Sequence, residues 1–167
     1  MIYKLNMTTN FTTADLWDDN EGILICANPI FKNFGGKQSF YGEIVTLKIF
    51  EDNSFVRKIL EINGKGKILV VDGGASIRCA LVGDKLAELA ITNNWEGIIV
   101  NGCIRDSSLI NQMDIAIKAL NTSPVKSVKR NIGEIDIPVN FSGVSFIPKQ
   151  FVYSDNDGIL ISKKSLL

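Results

Sequence analysis

The stretch "KILVVDGGASIRCALVGDKLAELAITNNWEGIIVNGCIRD", residues 67–106, decides the fold. "KILVVD" (67–72) is a short apolar run closed by Gly73 and Gly74, the pattern of a buried strand. "GDKLAELAITNN" (83–94) carries an apolar stripe of Leu86, Leu89 and Ala90 at helical spacing, and Asn93-Asn94 mark its end. "GIIV" (97–100) is the next buried strand. Strand, glycine-rich loop, helix, strand predicts an α/β fold with a parallel, right-handed βαβ crossover. In open α/β sheets ligands bind beyond the carboxyl ends of the parallel strands. Two loops meet there: one runs from "KILVVD" into Gly83-Asp84, and the other follows "GIIV" and carries Arg105 and Asp106.

The residue types at that junction suit one kind of chemistry. A helix start over Gly83, Asp84, Lys85 and Leu86 presents unpaired backbone N–H groups that favour an anion. Arg105 adds a permanent planar donor for carboxylate or enolate oxygens. Asp106 can ligate a hard divalent cation and Asp84 can hold a water beside it, the few-ligand style of Mg²⁺. The chain contains no histidine. Chemistry must therefore run on carboxylates, arginine, lysine, hydroxyls, thiols, backbone amides or a metal. Each feature also has a structural alternative. Asp84 can simply cap its helix, and Arg105-Asp106 can be a solvated surface pair. Gly73-Gly74 lacks both the Walker pattern and the complete dinucleotide fingerprint, which leaves a turn. Lys126, Lys129 and Arg130 read as an exposed face, and "DNDG" (155–158) reads as a turn without the ligand spacing of a calcium loop.

Outward from this core, "TTADLWDD" (12–19) reads as a helix start with Thr12 or Thr13 as cap and Asp15 on the positive end of the dipole. "GILICANPIF" (22–31) predicts a short strand ending in a turn at Pro29. "NFGGKQSFYGEIVTLKIF" (33–50) opens on the Gly35-Gly36 turn and alternates as a strand through Ile44, Leu47 and Ile49. "NSFVRKILEI" (53–62) has helical spacing at Phe55, Val56, Ile59 and Leu60. "LINQMDIAIKALN" (109–121) is mixed helical or extended, and residues 137–162 read as several short strands. No repeat, linker or low-complexity tract interrupts the chain, which reads as one domain over residues 1–167.

Composition narrows the classes further. Lys+Arg and Asp+Glu are 18 each, so the zero net charge argues against a nucleic-acid-coating protein and fits an oligomer. The three cysteines, Cys26, Cys79 and Cys103, are far apart and without a CxxC pair, so they read as buried free thiols of a reducing cytosol. Cys103 stands out because it lies two residues before Arg105. "MIYKLNMTTNF" (1–11) has no apolar core of a secretory signal, and no apolar run approaches the ~20 residues of a membrane helix. The expected location is cytoplasmic, with no membrane partner.

The blocks "NPIFKNFGG" (28–36), "GKILVVDGGASIRCALVGDKLAELA" (66–90), "WEGIIVNGCIRD" (95–106), "PVKSVKR" (124–130), "IPVNFSGVSF" (137–146) and "YSDNDGILIS" (153–162) resemble, in order, the RraA-like family. That family comprises the regulator of ribonuclease E activity A and the 4-hydroxy-4-methyl-2-oxoglutarate aldolases. Its members have also carried a label as a menaquinone-pathway methyltransferase, but no methyl-donor site is visible in this sequence. The family's aldolases carry Asp, twenty residues, then Arg-Asp; here Asp84, the segment 85–104 and Arg105-Asp106 match that spacing. The typical ribonuclease regulator lacks the aspartate after the arginine, so Asp106 points to the enzyme.

The resemblance implies a single-domain layered α/β/β sandwich, a homotrimer, and a Mg²⁺- or Mn²⁺-dependent class II aldolase. Such an enzyme releases pyruvate from 4-hydroxy-2-oxo acids and decarboxylates oxaloacetate through the same enolate. In it, Asp106 is the metal ligand, Arg105 and Asp84 are catalytic, and Gly83, Asp84, Lys85, Leu86 and Arg105 bind substrate. A non-catalytic regulator that binds ribonuclease E is the alternative. One departure stands out: Ser107, Ser108 and Leu109 occupy positions where many relatives are acidic, and the chain ends soon after "GILIS".

Overall fold

The computed structural model describes residues 10–167. The reading of the N-terminal segment therefore lies, for its first nine residues, outside the described residues. Helix α1 (Thr13–Asp19) is capped by Thr12, whose Oγ1 accepts the Asp15 N–H at 3.1 Å. Strands β1 (Ile25–Cys26) and β2 (Lys32–Phe34) are short and lead into β3 (Phe40–Lys48). Helix α2 (Ser54–Leu60) then precedes β4 (Lys67–Asp72), β5 (Ala80–Val82), α3 (Asp84–Thr92) and β6 (Gly97–Ile104). Helix α4 (Ser107–Ile110) and β7 (Ile117–Thr122) follow, then β8 (Glu134–Ile135), β9 (Val139–Phe141), β10 (Val144–Phe146), β11 (Phe151–Ser154) and β12 (Ile159–Ser162).

The large mixed sheet runs β1-β12-β11-β3-β4-β6-β7-β2, with β5 also on β6 and β8 on β3; β9 and β10 form a separate hairpin. Its centre is parallel: β3 on β4, β4 on β6, β6 on β7. Every residue of β6 is buried, as expected for a strand covered on both faces. Alternation sorts the side chains. Leu47, Leu69, Val71 and Ile98 point to α2 and α3, where Val56, Ile59, Leu60, Leu86 and Ala90 meet them. Ile44, Ile68, Val70 and Ile99 point the other way, onto Val139, Val144 and Phe146 of the hairpin. A third cluster, Leu16, Leu24, Tyr153 and Leu160, seats α1 on the β11–β12 end. Helices, sheet and hairpin thus make the α/β/β layering that the family resemblance implies.

Two expectations, on the loop into Gly83 and on Cys26, are corrected. The helix at Gly83 is not fed directly by the loop after "KILVVD". β4 ends at Asp72 opposite Asn101, the chain turns through 73–79, and β5 then takes up the same edge of β6 at Ala80 opposite Cys103. The stretch 109–121 is mixed, as read from the sequence: it holds the end of α4, a turn and most of β7. Cys26 is exposed, whereas Cys79 and Cys103 are buried; all three are free. Cys26 lies on β1, a two-residue strand at the sheet's edge, too short to be covered on both faces.

Candidate active site

The site is set by a register. β5 and β6 run parallel and end together, with Val82 opposite Ile104 and the Arg105 N–H donated to the Val82 carbonyl at 2.9 Å. The residues just beyond must then be neighbours, and they are Gly83-Asp84 on one side and Arg105-Asp106 on the other. Asp106 sits at φ 57°, ψ 33°, in the left-handed region that aspartate tolerates better than most residues. This backbone turns its carboxylate back across the sheet end. Oδ2 accepts the Asp84 N–H at 3.3 Å and lies 3.7 Å from Arg105 Nε.

The start of α3 explains why. Its N-cap is Gly83, which has no side chain to offer the first free N–H groups. Asp106 supplies that acceptor from the neighbouring loop, and Asp84 Oδ1 takes the Lys85 N–H at 2.8 Å. Two of the amides expected to stand open are therefore held by carboxylates. Gly83 has an ordinary extended φ of −126°, so conformation does not demand glycine; space does. A Cβ there would stand 2.8 Å from Asp106 Oδ2 and 3.4 Å from Arg105 Cγ. Leu86 packs its side chain into the core beneath α3. Lys85 stays exposed with a 3.5 Å pair to Glu88. The Arg105–Asp106 pair is itself about 40 % exposed, with side-chain values of 42 % and 36 %, so it contributes little to stability.

All six residues nominated from the sequence, Gly83, Asp84, Lys85, Leu86, Arg105 and Asp106, line one open cleft of about 1100 Å³. Its other wall was not legible in the sequence. Arg57 and Lys58 reach it from α2, and Lys126, Ser127 and Lys129 from the segment 125–131. Lys126 and Lys129 are exposed as expected, but they face a cleft rather than a plain surface. With Lys85 and Arg105 the lining holds six cationic side chains against three carboxylates, in a chain of zero net charge. Such a cleft draws in anions. Gly73-Gly74 forms a turn tied to the ends of β4 and β6, through Gly73 N–H to Asn101 O and Gly74 N–H to Asp72 Oδ1, and is not part of this cleft. The "DNDG" stretch is likewise a turn, closed by Asp155 N–H to Gly158 O. Cys103 is fully buried between β5 and β7, outside the cleft lining, and burial pushes its thiol up. It is inert packing.

Among the described residues no three Asp, Glu, Cys or His side chains converge on a metal-sized point. That arrangement does not suit zinc, which takes three or four protein ligands. It does suit a hard divalent cation that keeps most of its water. Asp106 Oδ1 accepts no hydrogen bond among the described residues, and its side chain is open to the cleft beside Asp84.

Comparison with known proteins agrees with this architecture. A protein of Aromatoleum aromaticum, provisionally named as a 4-hydroxy-4-methyl-2-oxoglutarate aldolase, is 54 % identical over 157 residues, covering 94 % of this chain and 99 % of its own. One from Dechloromonas aromatica with the same provisional name is 53 % identical, covering 93 % and 98 %. The structure of the RNA-processing inhibitor RraA from Thermus thermophilus superposes with a TM-score of 0.91 at 39 % identity, covering 95 % and 96 %. A Geobacillus kaustophilus structure described as an S-adenosylmethionine:2-dimethylmenaquinone methyltransferase also gives 0.91, at 44 % identity over 93 % and 97 %. A model of the RraA-like family, described as Aldolase/RraA, matches residues 13–161, and the chain belongs to that family.

Proposed function

We propose that this protein is a divalent-metal-dependent aldolase that cleaves 4-hydroxy-4-methyl-2-oxoglutarate and related 4-hydroxy-2-oxo acids to pyruvate, and decarboxylates oxaloacetate. The observation that carries the reading is the Val82–Ile104 register, which brings Gly83–Leu86 and Arg105-Asp106 to one cationic cleft. The provisional names of relatives at about half identity support the same activity.

In this reading Asp106, with Asp84 beside it, holds Mg²⁺ or Mn²⁺ together with water. When bound, the cation supplies Lewis-acid charge next to the substrate's 2-oxo group. Arg105 lays its fork on the substrate carboxylate and on the oxygen that gains charge as the C3–C4 bond breaks. Asp84 orients the water that takes the 4-hydroxyl proton. The bonding pair stays on C3 as pyruvate enolate, which is then protonated. Decarboxylation of oxaloacetate reaches the same enolate with the same residues. The reading extends to a homotrimer. Exposed Phe50 and Ile132, which share a small second cleft, support self-association.

The test is pyruvate release, coupled to lactate dehydrogenase, from a panel of 4-hydroxy-2-oxo acids and oxaloacetate. We expect turnover that EDTA stops and Mg²⁺ or Mn²⁺ restores, and none in Asp106→Ala. Full activity in Asp106→Ala overturns the ligand role. The likeness to the Thermus RNA-processing inhibitor favours a second reading, a regulator that binds a ribonuclease. Capture of purified ribonuclease E, with no pyruvate from any substrate, selects it.

A further inference from the structure

β5 delivers Gly83 and Asp84, yet it is only three residues long. Its one strand partner among the described residues is β6, and the register slips between Ala80 and Val82. Beyond that it shares an isolated bridge, Ala80 with Lys126. So short a strand needs other support, and residues 51–53, between β3 and α2, supply it. Glu51 Oε1 accepts both Ser76 Oγ and Arg78 Nε, each at 2.6 Å, and so grips the loop that enters β5. The Glu51 carbonyl accepts the Val128 N–H at 3.1 Å, in the segment whose Val125 carbonyl takes the Ala80 N–H at 2.7 Å. Asp52 Oδ2 fixes the end of that segment, accepting the N–H groups of Arg130 at 2.8 Å and Ile132 at 3.2 Å. Asn53 Nδ2 donates to the Leu81 carbonyl within β5 at 3.2 Å.

Stability alone does not explain the grip. Glu51 has φ 55°, and Ala75 in the gripped loop has φ 57°. Both lie in the left-handed region, which non-glycine residues hold at a cost and only where their surroundings fix them. The Glu51–Arg78 ion pair offsets little of that cost, because the Arg78 side chain is 72 % exposed. Glu51, Ser76 and Arg78 are also absent from the cleft lining, so any effect they have on chemistry passes through β5.

We propose that Glu51 is a positioning residue for the reaction: by gripping Ser76 and Arg78 it sets where β5 ends, and hence where Gly83 and Asp84 stand against Arg105 and Asp106. This rests on the functional reading above and adds to it a residue outside the cleft on which the chemistry depends.

The test separates position from charge and from folding. Glu51→Gly suits the left-handed φ and removes the grip, so its melting curve should stay close to that of the wild type. Its kcat for pyruvate release should fall about tenfold or more, while KM changes less than about threefold because Arg105 is held on β6. Glu51→Gln keeps an acceptor oxygen for both donors and should stay within about twofold of the wild type in kcat. Ser76→Ala with Arg78→Ala deletes the donors without touching the Glu51 backbone and should match Glu51→Gly. The triple variant should lose no more than either. Hydrogen exchange reads the placement without activity. In Glu51→Gly, protection of the Arg105 amide, which donates to Val82 O, should drop about tenfold, while that of the Ile98 amide, which donates to Ala116 O, stays unchanged. Wild-type kcat in Glu51→Gly, a Glu51→Gln enzyme as slow as Glu51→Gly, additive losses in the triple variant, or unchanged Arg105 protection overturns the proposal. Pyruvate turnover with unchanged Arg105 protection keeps the aldolase and removes the positioning role. Lost protection, with no pyruvate released by the wild type from any substrate, keeps the hold on β5 and removes the aldolase.

Discussion

At the residue scale the site depends on a carboxylate curled against a glycine. Asp106 reaches the helix start because its own backbone is left-handed and because Gly83 leaves room. Gly83→Ala places a methyl at 2.8 Å from Oδ2, so the carboxylate must swing away. The φ at 83 suits alanine, and the stability cost should be only about 1 kcal/mol, that of a poorer cap. Displacing Asp106 by about an ångström should nonetheless cut kcat/KM by about 100-fold. A melting curve and a pyruvate assay on one preparation check both halves; an active Gly83→Ala enzyme means that the Asp106 position is immaterial. Asp106→Asn keeps the left-handed backbone and the shape but loses the charge, so it should fold normally and fail to gain thermal stability from Mg²⁺, which the wild type should gain. Asp84, Arg105 and Asp106 were legible in the sequence because apolar runs end just before them. The left-handed φ was not, since aspartate occupies ordinary regions equally well. Nor were Arg57 and Ser127, whose place in the cleft depends on contacts between segments far apart in the chain.

Elements carry the next level of precision. The three-residue strand β5 was invisible in "GGASIRCALV" because a run of three apolar residues is shorter than any periodicity can register. Yet β5, not β4, delivers Gly83 beside Arg105. The strands β3, β4 and β6 and the helices α2 and α3 were legible, since their buried faces repeat over several residues. The segment 125–131 has no such repeat and owes its course to Asp52. Burial alone would raise the Asp52 pKa, but the Ser54 hydroxyl and the N–H groups of Ser54, Arg130 and Ile132 outweigh it and hold it below the ordinary carboxylate range. The unfolded chain therefore binds the proton more readily than the folded one. The stabilisation is full above the unfolded value of about 4 and is lost as the pH falls through the lower folded value. Asp52→Asn should lower stability at pH 7 by about 1–3 kcal/mol and flatten the acid limb of the stability curve. Urea melts of both proteins from pH 3 to 7 would show it; parallel curves would mean that Asp52 does not hold the segment.

At the scale of the whole molecule, the cleft lies beyond the strand ends on the helical side of β6, a strand buried on both faces. Ile98 and Ile99 are successive residues of β6, each with 0 % exposure, and they point to opposite layers. Ile98 packs among the residues that seat α2 and α3, and Ile99 packs toward the β9–β10 hairpin. Truncating either to alanine removes the same atoms from equally buried positions, so each should cost about 2–5 kcal/mol. Their effects on the site should differ. Only the Ile98 cavity lies under the two helices that carry Gly83–Leu86 and Arg57, and relaxation into it shifts the cleft walls relative to Arg105. At a temperature where both variants are fully folded, Ile98→Ala should lose at least tenfold in kcat/KM, and Ile99→Ala should stay within about twofold of the wild type. Denaturant titration establishes that the stability losses match, and the pyruvate assay reads the difference. Equal activity losses would mean that the sheet transmits strain between its faces, and that the helical layer is not the independent platform its packing describes.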